Sequence, residues 1–168
     1  MKNIPVAVPN FIGNEKKYVD DCMDTTWISS VGKYVNQFEE SFANRMTVKH
    51  AIACCNGTVA LHVPLLGLGI KEGDEVILPS FTYIATANCV KYCGATPIFA
   101  DCLQDTWNID PKDIERKITP RTKGIIPVHM YGNPCDMDAI MAIAKKYNLF
   151  VLEDAAEAHG ATYNGQCV

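Results

Sequence analysis

The sequence predicts an α/β fold, a mostly parallel sheet with helices on both faces, and three observations carry that expectation. Short apolar runs at residues 75–79, 96–101, 124–129 and 149–153 alternate with segments of helical period, the mark of β-α-β units. Helix caps and turn residues fall at the joints between them. The chain has 168 residues, 48% apolar and 20% charged, which is about one domain with enough apolar side chains for a core.

Taken in order, residues 14–24 read as a first helix, and Val35, Phe38, Phe42 and Met46 recur at helical spacing to give a second, amphipathic one. Residues 50–55 read as a short buried strand. A helix over residues 58–67 follows, with Pro64 inside it, where the ring removes a hydrogen bond and costs about 3 kcal/mol if unrelieved. The turn Lys71-Glu-Gly-Asp74 leads into the strand at 75–79, then a helix opened by Ser80 or Thr82 and closed near Gly94. After the strand at 96–101, Asp110 caps a helix with Pro111 and Asp113 in its first turn. Residues 124–129 form a continuous apolar strand. Asp136 opens a helix with Met137, Ile140, Met141, Ala144 and Tyr147 on one face and Lys145 and Lys146 in its last turn. The strand at 149–153 is the last clear one. Asn164-Gly165 is a hairpin signal whose second arm has only three residues, so the chain is expected to stop inside a larger domain. Repeats, low-complexity tracts and linker-like stretches are absent from the sequence, which favours one domain.

Composition narrows the function. Fifteen basic against nineteen acidic residues give a net charge of −4, and no Lys/Arg block is present to neutralise a row of phosphates, which argues against nucleic acid. The longest apolar run, residues 59–70, is broken by His62 and Pro64 and falls short of the roughly 18–20 residues of a bilayer span. Prolines at 5 and 9 interrupt the place of a secretory apolar region, so a cytoplasmic location is expected. The eight cysteines, at 22, 54, 55, 89, 93, 102, 135 and 167, form no C-x-x-C pair, and the four histidines do not bracket them at zinc spacing. They are expected to be free thiols acting as small buried hydrophobes, with no metal.

In an open parallel sheet ligands gather beyond the carboxyl ends of the strands, and three such ends stand out. Asn56-Gly57-Thr58 turns into a helix whose free N–H groups and dipole suit a phosphate, although a Gly-Thr turn also serves as a plain cap. No Rossmann or Walker glycine pattern is present. Pro79-Ser-Phe-Thr-Tyr83 puts two aromatics at a strand-to-helix junction, as a plate for a planar cofactor or as core. Glu153-Asp154-Ala-Ala-Glu157-Ala-His159-Gly160 delivers a buried carboxylate, either an N-cap or a ligand-facing acid. An anion cradle, an aromatic plate and a fixed carboxylate together match a phosphorylated, planar, protonatable heterocycle, and pyridoxal 5'-phosphate has all three features.

Several ordered blocks carry a resemblance: Trp27-Ile-Ser-Ser30 with Gly32-Lys-Tyr34, Asn56-Gly-Thr-Val-Ala-Leu-His62, Gly73-Asp-Glu-Val76, Pro79-Ser-Phe-Thr-Tyr-Ile-Ala-Thr-Ala87, Gly94-Ala-Thr-Pro97, Asn108-Ile-Asp-Pro111, Ile118-Thr-Pro-Arg-Thr-Lys123, Pro127-Val-His-Met-Tyr-Gly132 and Glu153-Asp-Ala-Ala-Glu-Ala-His-Gly160. Along its whole length the chain resembles the nucleotide-sugar aminotransferases of pyridoxal-phosphate fold type I. The resemblance implies that Gly57 and Thr58 hold the cofactor phosphate, Tyr83 stacks on the pyridine, Asp154 pairs with the ring nitrogen and Glu157 approaches the ring hydroxyl. His159 either orients Asp154 or packs. Trp27, Ser29 and Gly32 are implied on the sugar-nucleotide side.

The resemblance also implies an amino group passed from an amino acid, glutamate in most of the family, to the 4-keto carbon of a nucleotide-linked deoxysugar, in a homodimer. Residues 1–168 would then be an incomplete N-terminal part of the large cofactor-binding domain, with the small C-terminal domain absent. The Schiff-base lysine of the family falls beyond Val168, so no catalytic residue is assigned in this chain and the chain alone is expected to be inactive. Lys123, Lys145 and Lys146 match no such motif and read as solvated. Two alternatives stay open: a sugar 3-dehydratase of the same family, with His for that lysine, and a non-catalytic binding or regulatory domain on the same fold.

Overall fold

The computed structural model describes residues 4–5 and 8–168, so the expectation drawn from the first ten residues lies partly outside the described residues. The chain divides into two compact units, Met1–Ala53 and Cys54–Val168, with no linker-like composition at the junction.

The first unit holds α1 (Glu15–Asp24) and α2 (Lys33–Met46). Both are where the apolar spacing puts them, yet neither carries a buried residue. Between them the Tyr18 and Tyr34 rings meet at a tilt with centroids 4.9 Å apart, and Asp21 takes Lys33 at 2.6 Å and the Tyr34 hydroxyl at 3.0 Å; within α2, Phe38 and Phe42 are 5.6 Å apart.

Residues 50–55 are not a strand, correcting the sequence expectation. A strand exists through its ladder, and the four strands of the main sheet pair only with one another, leaving Ile52 79% exposed and Cys54 and Cys55 exposed. Those two thiols therefore depart from the expectation of buried cysteines, whereas Cys89 and Cys135 satisfy it.

The second unit runs α3 (Gly57–Gly67), β1 (Glu75–Pro79), α4 (Ile84–Tyr92), β2 (Thr96–Ala100), α5 (Pro111–Lys117), β3 (Thr122–Ile125), α6 (Met137–Tyr147), β4 (Phe150–Val151), β5 (Thr162–Tyr163) and β6 (Gln166–Cys167). The sheet order is β2-β1-β3-β4 and every pairing in it is parallel. All five residues of β1 are buried, as a strand covered on both faces requires. Period-two alternation sends Val76 and Leu78 into a core with Leu61 and Leu65 of α3 and Ala87 and Val90 of α4. Ile77 points the other way, to Ile114 of α5 and Ile140 and Ala144 of α6. The structure is thus α/β with helices on both faces.

Two boundaries and one helix face differ from the sequence reading, each for a local reason. Ser80 still donates its amide to Ala100 O in the sheet, and the Thr82 hydroxyl lies 3.0 Å from Thr86 Oγ1, so neither side chain caps α4. Tyr83, with extended backbone, takes the cap position instead. The run at 124–129 is buried throughout, but Pro127 has no N–H to give and regular pairing ends at Ile125, resuming as the single bridge Val128↔Asp154. In α6 the buried stripe is Met137, Ile140 and Ala144. Met141 falls about 70° off its centre at 100° per residue and is 52% exposed, and Tyr147 at the other margin is 38% exposed.

Asn164 and Gly165, both at positive φ, turn the β5–β6 hairpin as the Asn-Gly signal anticipated. Gly124 is required by packing: a Cβ there would collide with the Phe150 ring lying across β3.

Candidate functional site

The first wall of the site is the start of α3. Asn56 has extended backbone and accepts from the Val59 amide through Oδ1 at 3.0 Å, while its carbonyl accepts from Ala60 N. The amides of Gly57 and Thr58 have no acceptor among the described residues. A helix start with two uncommitted N–H groups is a ready anion seat. A Cβ built on Gly57 would meet nothing within 4 Å, so the backbone there fronts open space.

The second wall is the β1–α4 junction. Of its two aromatics, Phe81 is engaged with the Trp107 ring at 5.3 Å, whereas Tyr83 is 75% exposed. The third comes from the end of β4. Parallel pairing through Val128↔Asp154, with Asp154 N donating to Pro127 O at 2.9 Å and His129 N donating to Asp154 O at 3.1 Å, fixes the backbone of Asp154. Its carboxylate is buried, 8% exposed for the residue. Oδ2 accepts from the Thr86 hydroxyl at 2.7 Å and Oδ1 from the Ala156 amide at 3.2 Å. The latter contact is the turn-capping role that the sequence left open for this residue. Among the described residues no Lys or Arg forms an ion pair with it.

Glu157 lies one turn further on, and its Oε2 accepts from the Tyr131 amide at 2.9 Å. That bond holds the short turn Met130–Gly132, in which Tyr131 adopts a left-handed conformation. Gly57, Thr58, Tyr83, Asp154 and Glu157 all line one cleft of about 250 Å³, together with Leu61, Thr82, Ala85, Val128, Met130 and Ala156.

Residues 9–168 match the description of one protein family. The chain belongs to the DegT/DnrJ/EryC1/StrS aminotransferase family. Among curated proteins it is 58% identical over 166 residues to GDP-perosamine synthase of Caulobacter vibrioides, covering 99% of this chain and 45% of that protein. Among solved structures, an aminotransferase from Psychrobacter cryohalolentis superposes with a TM-score of 0.91 at 46% identity, covering 95% of this chain and 41% of that one. A GDP-4-keto-6-deoxymannose-3-dehydratase with a trapped PLP-glutamate geminal diamine superposes at 0.90 with 30% identity, covering 99% and 44%. The chain spans under half the length of these relatives.

Trp27, Ser29 and Gly32 belong to the first unit, where a side chain at Gly32 would strike the Trp27 indole and Trp27 Nε1 donates to Val31 O. His159 is exposed in the turn after Asp154. Lys123, Lys145 and Lys146 are absent from the cleft lining, and Lys146 pairs with Glu115 at 2.8 Å on the surface.

Sequence reasoning assigned no role to three buried polar residues behind the cleft. Thr86 contacts Asp154 directly; its i, i+4 spacing from Thr82 was the available signal. His129 is fully buried, accepts the Cys135 amide at Nδ1 (3.0 Å) and therefore directs Nε2–H to Glu153, 3.0 Å away. Asn108 donates to the carbonyls of Asn133 and Pro134, at 3.0 Å each, and accepts from Met130 N at 3.4 Å. His129 and Asn108 together hold the loop that carries Met130.

Proposed function

We propose that the cleft holds pyridoxal 5'-phosphate and that the chain is the cofactor-binding part of an aminotransferase acting on a nucleotide sugar. The observation that carries this is the pairing of opposites in one small space: a buried carboxylate without a cationic partner among the described residues, and a helix start with two unspent amides. A buried anion is costly unless something opposite meets it, and a protonated ring nitrogen meets it here. The Gly57 and Thr58 amides, with the Thr58 hydroxyl, receive the phosphate. Tyr83 covers the ring, and Glu157 turns its free oxygen to the ring hydroxyl. When bound, the cofactor supplies an electron sink for the carbanion left when an amino acid loses its α-proton. Asp154 holds the proton on the ring nitrogen that gives the sink its strength.

For the protein as a whole we propose transfer of the amino group of an amino acid, glutamate, to the C4 ketone of GDP-4-keto-6-deoxymannose, giving GDP-perosamine, in a cytoplasmic homodimer. The 58% identity to a GDP-perosamine synthase supports this substrate, as do Cys54-Cys55 before Asn56, the Cys135-Asp-Met-Asp138 block and Glu157. Trp27, Ser29 and Gly32 are assigned to the sugar-nucleotide side. The 3-dehydratase remains a second reading because a protein of that name shares 30% identity and the same fold over this whole chain.

The test is titration of the purified chain with pyridoxal phosphate, followed by absorbance and by borohydride treatment. Saturable binding that borohydride does not make covalent within the cleft is expected, since among the described residues no lysine lines it. With glutamate and the keto-sugar added, no 2-oxoglutarate should accumulate. Absence of binding overturns the cofactor assignment; sustained turnover overturns the inactivity of the isolated chain.

A further inference from the structure

Thr86 is fully buried in α4 and does not line the cleft, yet its hydroxyl makes the shorter of the two side-chain contacts to Asp154, 2.7 Å to Oδ2. A carboxylate offers only acceptors, so the Thr86 proton is committed to Asp154, leaving the Thr86 oxygen to accept. The donor available to it is the Thr82 hydroxyl, 3.0 Å away and one helical turn earlier, whose other acceptor, the Tyr83 carbonyl, is further off at 3.4 Å. The three groups make a directed chain, Thr82 to Thr86 to Asp154, in which each donated proton strengthens the next bond. On the other oxygen, Oδ1, sits the Ala156 amide. One donor on each oxygen clamps the plane of the carboxylate from behind and leaves a lone pair on each for whatever occupies the cleft.

We infer that Thr86 is a positioning residue: backed by Thr82, it holds the Asp154 carboxylate in one orientation before any ligand arrives. This rests on the assignment of Asp154 to the ring nitrogen. Without the clamp the carboxylate has to be ordered on binding, and that cost appears as lost affinity. The α4 backbone makes the device rigid, because Cys89 Sγ donates to Thr86 O at 3.0 Å in a core fully closed to solvent.

The experiment compares Thr86→Val, which keeps the shape and removes the hydroxyl, with Thr86→Ser, which keeps the hydroxyl and removes a methyl. Two quantities are read on the whole chain. The first, without cofactor, is the chemical shift of the Ala156 amide proton, which reports the bond to Asp154 Oδ1. The second is affinity for pyridoxal phosphate. Thr86→Val should move the Ala156 resonance upfield and weaken the cofactor roughly tenfold to a hundredfold, the range of a hydrogen bond to a charged group. Thr86→Ser should stay within about threefold of the parent. An unmoved Ala156 resonance in Thr86→Val, or equal losses in both variants, overturns the clamp. Should Thr86→Val fail to fold, Thr82→Val is read by the Ala156 resonance without cofactor, because Thr82 itself lines the cleft: an upfield shift smaller than that expected for Thr86→Val supports the outer link of the chain, and no change overturns the proposal. If the parent chain does not bind pyridoxal phosphate, the cofactor assignment falls while the Ala156 resonance still decides the clamp.

Discussion

Replacing Gly57 by Ala separates the anion seat from the fold. Position 57 is the first residue of α3, has ordinary backbone geometry, and a Cβ there meets nothing within 4 Å. The folded state therefore accepts the methyl without strain, and the loss of glycine freedom in the unfolded chain stabilises by about 0.4–1 kcal/mol. For a unit the size of Cys54–Val168 that raises the melting midpoint by roughly 2–6 °C. Gly57 also lines the cleft, so the same methyl adds bulk to the wall that holds the Gly57 and Thr58 amides. Losing close approach of a charged phosphate to those donors costs about 1.5–3 kcal/mol, roughly tenfold to 150-fold in affinity. Gly67→Ala is the matched control: it ends the same helix, also meets nothing within 4 Å, and does not line the cleft. Thermal melts and pyridoxal-phosphate titrations of both variants should show both equally or more stable than the parent, with Gly57→Ala alone impaired in binding. A destabilised Gly57→Ala, or equal affinity in the two variants, would refute the seat at the start of α3.

Three further outcomes are expected. In native protein, Ellman's reagent should react first with the exposed Cys54 and Cys55, while Cys89 and Cys135, buried and with thiols pushed up by burial to about 11 and about 12, react only on unfolding; early modification of Cys135 contradicts the packing of the β3–α6 loop. Glu75 is held below the usual carboxylate range by the Thr119 hydroxyl, with Arg121 adding to it against the opposing effect of burial. A depressed folded pKa contributes stability above the unfolded value, near 4.5, and loses it as the pH falls through the folded one. Urea unfolding at pH 7 should thus show Glu75→Gln less stable than the parent, with the gap closing toward pH 3; a gap independent of pH contradicts the ion pair. Pro64 lies inside α3, where it has no N–H to give to the helix, so Pro64→Ala should raise the urea midpoint by the equivalent of about 1–3 kcal/mol at unchanged slope, whereas an unchanged midpoint means that the missing bond is relieved elsewhere.

Most of the second unit was legible because its signals are local. Asp110 and Asp136 accept from backbone amides at the starts of α5 and α6 as their positions imply, and Asn164-Gly165 turns as Asn-Gly does. The site was legible in outline for the same reason: strand ends in a parallel sheet face one edge, so residues following β1 and the β4 run converge with the start of α3. Residues 50–55 misled because a short apolar run, here Ala51 to Cys55, is shared by strands and by extended segments, and only a ladder partner distinguishes them. The roles of Thr86 and His129 depend on contacts 68 and 24 residues away in sequence; the i, i+4 spacing of Thr82 and Thr86 pairs those two but does not point to Asp154. Position alone does not separate Tyr83 from Phe81; the family resemblance singles out Tyr83, and the Trp107 ring against Phe81 leaves Tyr83 as the more exposed of the two.

Asp154 decides the matter most directly. Absorbance spectra of pyridoxal phosphate bound to the parent chain and to Asp154→Asn, recorded from pH 6 to pH 9, compare an anion with a neutral isostere at the same buried spot. The parent should bind at least tenfold more tightly and keep the protonated-ring spectrum to higher pH. Equal affinities with superimposable spectra would mean that this carboxylate does not face the cofactor nitrogen.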